Sequence, residues 1–308
     1  MFMKKGFVTI ATGDDRYYRM ATNLLRSYCQ NCKERMPFAV IADRENEFTA
    51  EFDDVVILDQ PTHTWMDKMR LLECCPYDEN LFIDADCLIY QDVNFLWDLY
   101  READDFSCFG KALPLNDKGG WFTDQAAQYY PIRFCTHLHG MLYFIRKSET
   151  LTRMKLLCDD IIANYEKIVF KSFNDRLADE PVYALAMAVL GLNPVKRKPE
   201  YYCFVPYATK FSSNYARRKV HFTYPKEGDV NSCCIVHWGN YNTDRAQYRY
   251  DAKAVNCNQR NGAVYLLLYR SGLLLFIYKT KECLVDLCFK TKWLLGRIVH
   301  KLEKILHE

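Results

Sequence analysis

Two carboxylates, Asp84 and Asp86, stand two residues apart in the run Leu81-Phe82-Ile83-Asp84-Ala85-Asp86-Cys87-Leu88-Ile89-Tyr90. Apolar residues lead up to the pair and resume directly after it. A buried strand does not carry two acids without a compensating cation. The economical reading ends the strand at Asp84, opens both carboxylates onto a cleft and neutralises them with a divalent metal. Such an ion suits the stabilisation of a diphosphate as it leaves. The alternative is that the pair only caps the next turn.

For the pair to act, other strands must end beside it. Gly6 to Thr12, Pro37 to Ala42 and Val55 to Leu58 read as buried strands, with a helix from Tyr17 to Tyr28 and a short helix from Trp65 to Cys75 between them. Strands alternating with helices at this spacing imply an α/β fold with a mainly parallel sheet. Ligands bind at the carboxyl ends of such strands, so Ala11-Thr12, Asp43 and Asp84-Ala85-Asp86 are expected along one crevice. Further on, Lys111 to Tyr130 reads as a mobile loop and Gly140 to Ile145 as a strand. Leu151 to Tyr165 reads as a helix. Val182 to Leu190 reads as another, with Pro181 at its first position and Asp179 as its cap. Cys234 to Gly239 reads as a late strand carrying His237.

The chain has 308 residues, half of them hydrophobic, which is enough for one large domain or two smaller ones. A net charge of +2 gives no support for nucleic-acid binding. Met1 to Lys5 runs straight into a strand, so no signal peptide is expected and the 14 cysteines are expected reduced. The pattern changes near Asn261-Gly262. Ala263 to Tyr278 is apolar but shorter than the ~20 residues of a spanning helix. Leu284 to Leu306 repeats apolar residues at helical spacing, with Lys290, Arg297, Lys301 and Lys304 on the other face and Trp293 near the middle. That composition suits an interfacial membrane helix; packing on the protein itself is the alternative. The expected division is a catalytic domain over 1–261 and an amphipathic tail over 262–308.

Four places carry a resemblance: Phe7 to Thr12 with Asp14 and Tyr17 after it; Lys68 ahead of Asp84-Ala85-Asp86; Asp179-Glu180; and His237. In these the chain resembles the family 8 glycosyltransferases, the retaining GT-A group that includes glycogenin and bacterial lipopolysaccharide galactosyl- and glucosyltransferases. The resemblance runs from Gly6 to Tyr241. It implies a GT-A (Rossmann-like) nucleotide-diphospho-sugar transferase fold. It also implies that Asp84, Asp86 and His237 are ligands of Mn²⁺ or Mg²⁺. Ala11, Thr12 and Tyr17 match the uridine-binding segment, and Lys68 and Ala85 belong to the donor site. Asp179 matches the acid that binds donor-sugar hydroxyls. Glu180 stands where the family usually has Gln, and is either a nucleophile, an electrostatic stabiliser or a structural group. The chain departs from the pattern at His139-Gly140, where the family often has Asn-Gly, and after His237, where the family Lys is missing and Arg245 is the nearest substitute.

The function these matches imply is transfer of glucose or galactose from a UDP-sugar to an acceptor hydroxyl, with retention. The tail points to a lipid-linked or surface glycan such as a lipopolysaccharide core, built in the cytoplasm at the inner face of the membrane. Two rivals remain from the residues alone: a non-catalytic sugar-nucleotide-binding scaffold and a D-x-D metal-dependent phosphatase.

Overall fold

A computed structural model describes residues 3–115, 117, 119–122, 124–168, 177–239, 242–260 (backbone alone at 258–260), 271, 273 and 275–283. Strand β1 (Lys5–Ala11) is followed by α1 (Asp15–Asn31), β2 (Phe38–Ala42) and β3 (Asp54–Ile57). Helix α1 begins where the Asp14 carboxylate accepts a hydrogen bond from Arg16 N at 2.7 Å, satisfying one of the free donors of the first turn. Its inward stripe holds Tyr18, Ala21, Leu24, Leu25 and Tyr28, the spacing that puts side chains on one helical face. A 3₁₀ turn (Trp65–Arg70) and α2 (Leu71–Cys74) lead to β4 (Glu79–Ile83). All five residues of β4 are buried, as expected of a strand covered on both faces. Then come β5 (Cys87–Ile89), α3 (Phe95–Leu99), β6 (Phe106–Leu113), β7 (Cys135–Arg146) and α4 (Glu149–Ala163). The chain continues through α5 (Asp179–Leu190), β8 (Tyr202–Phe204), β9 (Lys210–Asn214), β10 (Lys219–Tyr224), β11 (Gly228–Val230), β12 (Ile235–His237) and α6 (Ala246–Arg260). Helix α5 stops at Gly191, whose φ of 71° is the left-handed conformation that glycine adopts without strain.

The central sheet has the order β3-β2-β1-β4-β7-β6. Its first four strands are parallel and β7 runs against both neighbours, so β1, β2 and β4 all end at one edge. A small sheet ordered β5-β12-β8 pairs His237 with Cys87 on one side and Phe204 on the other. Helix α1 holds this small sheet in place. Ile89 N donates to Ser27 Oγ (2.9 Å), and its carbonyl accepts from Asn31 Nδ2 (2.8 Å). Two side chains one turn apart thus take the place of a neighbouring strand.

The chain divides into two compact units: residues up to Phe204 with Cys233–His237, and Val205–Ser232 with Trp238 onward. In the second, β9, β10 and β11 form an antiparallel sheet. Asp251 of α6 accepts from Tyr215 N at 2.8 Å and from Ser213 Oγ.

Two sequence expectations need correction. Lys111 to Tyr130 is not simply a loop: Lys111–Leu113 complete β6, and Phe122, Ala126 and Tyr130 are buried in the core. The apolar side chains in that stretch anchor it. Asp179 is not a cap either: Ala178 holds the cap position without a side-chain bond, and Asp179 opens the helix with Pro181 two residues in. The tail from 284 to 308 lies outside the described residues. Among the described residues no helix is long and apolar enough to cross a membrane.

Ser27→Ala removes the acceptor of a buried N–H. It is expected to lower unfolding free energy by about 1–3 kcal/mol in urea denaturation; an unchanged midpoint would show that the small sheet does not depend on α1.

Candidate functional site

The parallel register puts the ends of β1 and β4 side by side. Asp84 N still bonds Met141 O of β7 (2.9 Å), and Cys87 N closes a turn onto Asp84 O (3.1 Å). Ala85 and Asp86 are the centre of that turn. Strand β5 then leads away and pairs with β12, which sets His237 opposite Cys87. As a result His237 Nε2 lies 3.1 Å from Asp86 Oδ1 and 3.8 Å from Asp84 Oδ2. The imidazole arrives from a distant strand, as the resemblance implies.

Lys68 joins the acids from the other side. Its Nζ donates to Asp84 Oδ2 at 2.7 Å and stands 3.8 Å from Asp179 Oδ2. Asp179 Oδ2 also accepts from Tyr143 OH of β7 (2.9 Å). One turn along α5, Tyr183 OH donates to the Lys68 carbonyl (2.8 Å). Asp179 and Tyr183 share a helix face and grip Lys68 by side chain and backbone together.

Asp84, Asp86, Lys68 and His237 shift one another in a place with little water. Burial alone would lower the Lys68 ammonium pKa, but Asp179 and Asp84 outweigh it and hold it above its ordinary value. Burial raises Asp84, only partly offset by Lys68. Burial also acts to raise Asp86, yet His237 reverses this and holds its carboxyl below the ordinary range. Burial would likewise lower His237, but Asp86 wins and raises it.

Glu180 projects from the first turn of α5 to β7, where its Oε1 accepts from Gly140 N at 2.9 Å. A Cβ at Gly140 would lie only 2.5 Å from that oxygen, so the close approach requires glycine. Burial, then the Asp179 charge, raise the Glu180 carboxyl to about 7. Beside Gly140, burial pushes His139 down to about 3, leaving a neutral ring. Its ring meets Tyr202 (5.5 Å) and His137 (5.2 Å), and His137 stacks on Trp121 at 4.9 Å.

The expected uridine segment sits at the end of β1. Ala11 is buried at the strand terminus. Thr12 Oγ1 donates to Asp67 Oδ2 (2.8 Å), which leaves its backbone for other partners. Tyr17 is half-buried in the first turn of α1, next to the fully buried Tyr18. Asp43, just past β2, accepts from Gly13 N (3.2 Å) and Tyr18 OH.

Sequence reasoning missed Asp67, a buried hub that also accepts from Thr62 N (2.6 Å) and His63 N (3.0 Å). The Thr64-x-x-Asp67 spacing marks a helix start, and Thr64 does cap one. Nothing local announces that the acid reaches Thr12. Tyr143 and Tyr183 were equally silent, since both read as core.

The donors suit a divalent cation. Asp86 Oδ1 is buried and faces His237 Nε2 at 3.1 Å, and carboxylate oxygen with imidazole nitrogen is a set that first-row ions accept. Asp86 and His237 could hold one, with Asp84 Oδ2 3.8 Å from the imidazole.

No protein-family model matches the sequence, and a search of curated proteins finds no match. Solved structures do resemble the fold. The galactosyltransferase LgtC, crystallised with donor and acceptor sugar analogues, is 12% identical with a TM-score of 0.51, covering 86% of this chain and 100% of that one. An active-site mutant of LgtC gives 10% identity and a TM-score of 0.48, covering 82% and 96%. The glycosyltransferase GlyE of Streptococcus pneumoniae TIGR4 gives 12% and 0.43, covering 66% and 48%. The likeness to LgtC shows the GT-A fold, with its mainly parallel sheet, that the sequence led us to expect.

The raised Glu180 carboxyl has a consequence for stability. The native state holds this proton up to about pH 7, whereas the unfolded chain loses it near 4.5. Stability from this group therefore falls as pH rises through that window. Glu180→Gln keeps an acceptor for Gly140 N and removes the titration. In chelator, urea denaturation should show the variant gaining on the natural protein by up to about 3 kcal/mol between pH 4.5 and 8. A difference that does not vary with pH would mean the carboxyl titrates normally.

Proposed function

We propose that this chain is a retaining glycosyltransferase of the family 8 type, moving glucose or galactose from a UDP-sugar to an acceptor hydroxyl. The observation that carries the reading is the meeting of His237 with Asp86 and Asp84, with Lys68 between Asp84 and Asp179. A divalent ion, Mn²⁺ or Mg²⁺, held by Asp84, Asp86 and His237 supplies charge neutralisation of the UDP leaving group. Lys68 adds a fixed positive charge beside the leaving diphosphate, already oriented by Asp84 and by Tyr183 and so needing little reorganisation. Asp179, fixed by Tyr143, accepts hydrogen bonds from donor-sugar hydroxyls. The backbone of Ala11 and Thr12 reads the base, and the Tyr17 ring stacks on it. Glu180, ionised above about pH 7, faces developing positive charge at the anomeric carbon. The acceptor proton passes to the departing phosphate oxygen, so no separate base is required.

The test is incubation of pure protein with a panel of UDP-sugars, with and without Mn²⁺, following UDP release. One UDP-hexose should be turned over in a metal-dependent way, and His237→Ala should lose that activity by at least about 10-fold. Phosphate release from monoesters without sugar nucleotide would instead fit a phosphatase, and no turnover of any donor would favour a binding protein.

We also propose a lipid-linked or surface glycan as acceptor, reached from the membrane surface. In support, residues 271, 273 and 275–283 are helical and leave Leu273, Phe276 and Ile277 exposed beside Lys279 and Lys281. Apolar and basic side chains together suit an anionic lipid interface. The protein should float with anionic vesicles and less with neutral ones, and Phe276→Asp should weaken flotation. Equal recovery with and without vesicles would remove the membrane from the reading.

A further inference from the structure

Among the described residues, the tightest group of side chains able to hold an ion is not the acidic pair with the imidazole. It is Asp86, Cys87 and His237, whose ligand atoms all lie within 4.8 Å of one another. Asp84 turns its Oδ2 to Lys68 instead.

The geometry points to Cys87 Sγ as a further ligand of the ion held by Asp86 and His237, which biases the site toward thiophilic divalent ions, Co²⁺ and Zn²⁺, over Mn²⁺. This rests on the reading above that the site holds a divalent metal.

The register explains the placement. Cys87 and His237 are direct cross-strand partners in the β5–β12 pair, so their side chains leave the same face of the small sheet. Asp86 is the residue before Cys87, in the turn, and its buried Oδ1 lies 3.1 Å from His237 Nε2. Bonds of about 2.0–2.3 Å place tetrahedral neighbours about 3.5 Å apart, so the three atoms must close by only about 1 Å. The thiol is fully buried, with the Asp86 and Asp84 carboxylates and the Lys68 ammonium as the charges near it. Thiolate, imidazole and carboxylate together favour cobalt and zinc, whereas carboxylate and imidazole alone discriminate less against manganese. As the S–metal bond forms, the thiol proton leaves to solvent.

Cobalt reports both points without any turnover. Metal-free full-length protein is titrated with Co²⁺ alone. Visible d–d bands measure binding, and a near-ultraviolet sulfur-to-cobalt band measures thiolate ligation. The natural protein should show both. Cys87→Ser should keep the d–d bands and lose the sulfur band. Its preference for Co²⁺ over Mn²⁺ should drop by at least the roughly 10-fold that loss of a supporting ligand interaction causes. Cys87→Ala, which leaves no buried hydroxyl, serves if the serine variant does not fold. Visible bands without the sulfur band in the natural protein would overturn the inference and leave the metal site standing. A sulfur band that survives in the Cys87 variants would also overturn it, by assigning the thiolate to another cysteine. Absence of any cobalt binding would overturn both this inference and the metal site beneath it.

Discussion

Everything in the site follows from bringing three carboxylates, Asp84, Asp86 and Asp179, into a place with little water. Left alone they would repel one another and lose their hydration, which no fold of ordinary stability tolerates. The chain answers with a basic group on each of two sides. Lys68 sits between Asp84 and Asp179, and His237 sits against Asp86. The acid that Lys68 takes is raised by burial all the same, and the one His237 takes is held down. The two acids of one D-x-D run are thus already different before any substrate arrives.

Holding that balance requires the backbone to be placed from several directions. Strand β4 delivers Asp84 at the edge where β1 also ends. The β5–β12 pairing delivers His237, and Ser27 and Asn31 of α1 keep β5 where that pairing can form. Helix α5 delivers Asp179 and, one turn on, the tyrosine that fixes the Lys68 carbonyl. Few of these residues touch a charge directly. Their role is to remove freedom from the groups that do, so that fixed charges need little reorganisation.

Glu180 adds a second kind of control. It lies one residue from Asp179 yet points to a different element, because Gly140 leaves room for its carboxylate against the β7 backbone. Burial beside another acid raises its carboxyl to about 7. His139, made neutral by burial, adds no positive charge that would fix Glu180 in its ionised form.

Much of this was legible in the chain itself. The apolar runs and their spacing determined the strands, because a strand buried on both faces must be apolar throughout, and the acids after Ile83 marked where one of them ends. The alternation of strands and helices determined a parallel sheet and hence a shared edge for Thr12, Asp43 and Asp84. The resemblance at four short motifs named Lys68, Asp179, Glu180 and His237. What the chain could not state was which partners these groups meet. Asp67 reaching Thr12, Tyr143 meeting Asp179, Tyr183 meeting the Lys68 carbonyl, and Cys87 standing beside His237 all depend on strand register and helix placement. Such contacts join residues tens to well over a hundred positions apart, and only the folded backbone, by satisfying its own hydrogen bonds in one register and not another, decides them.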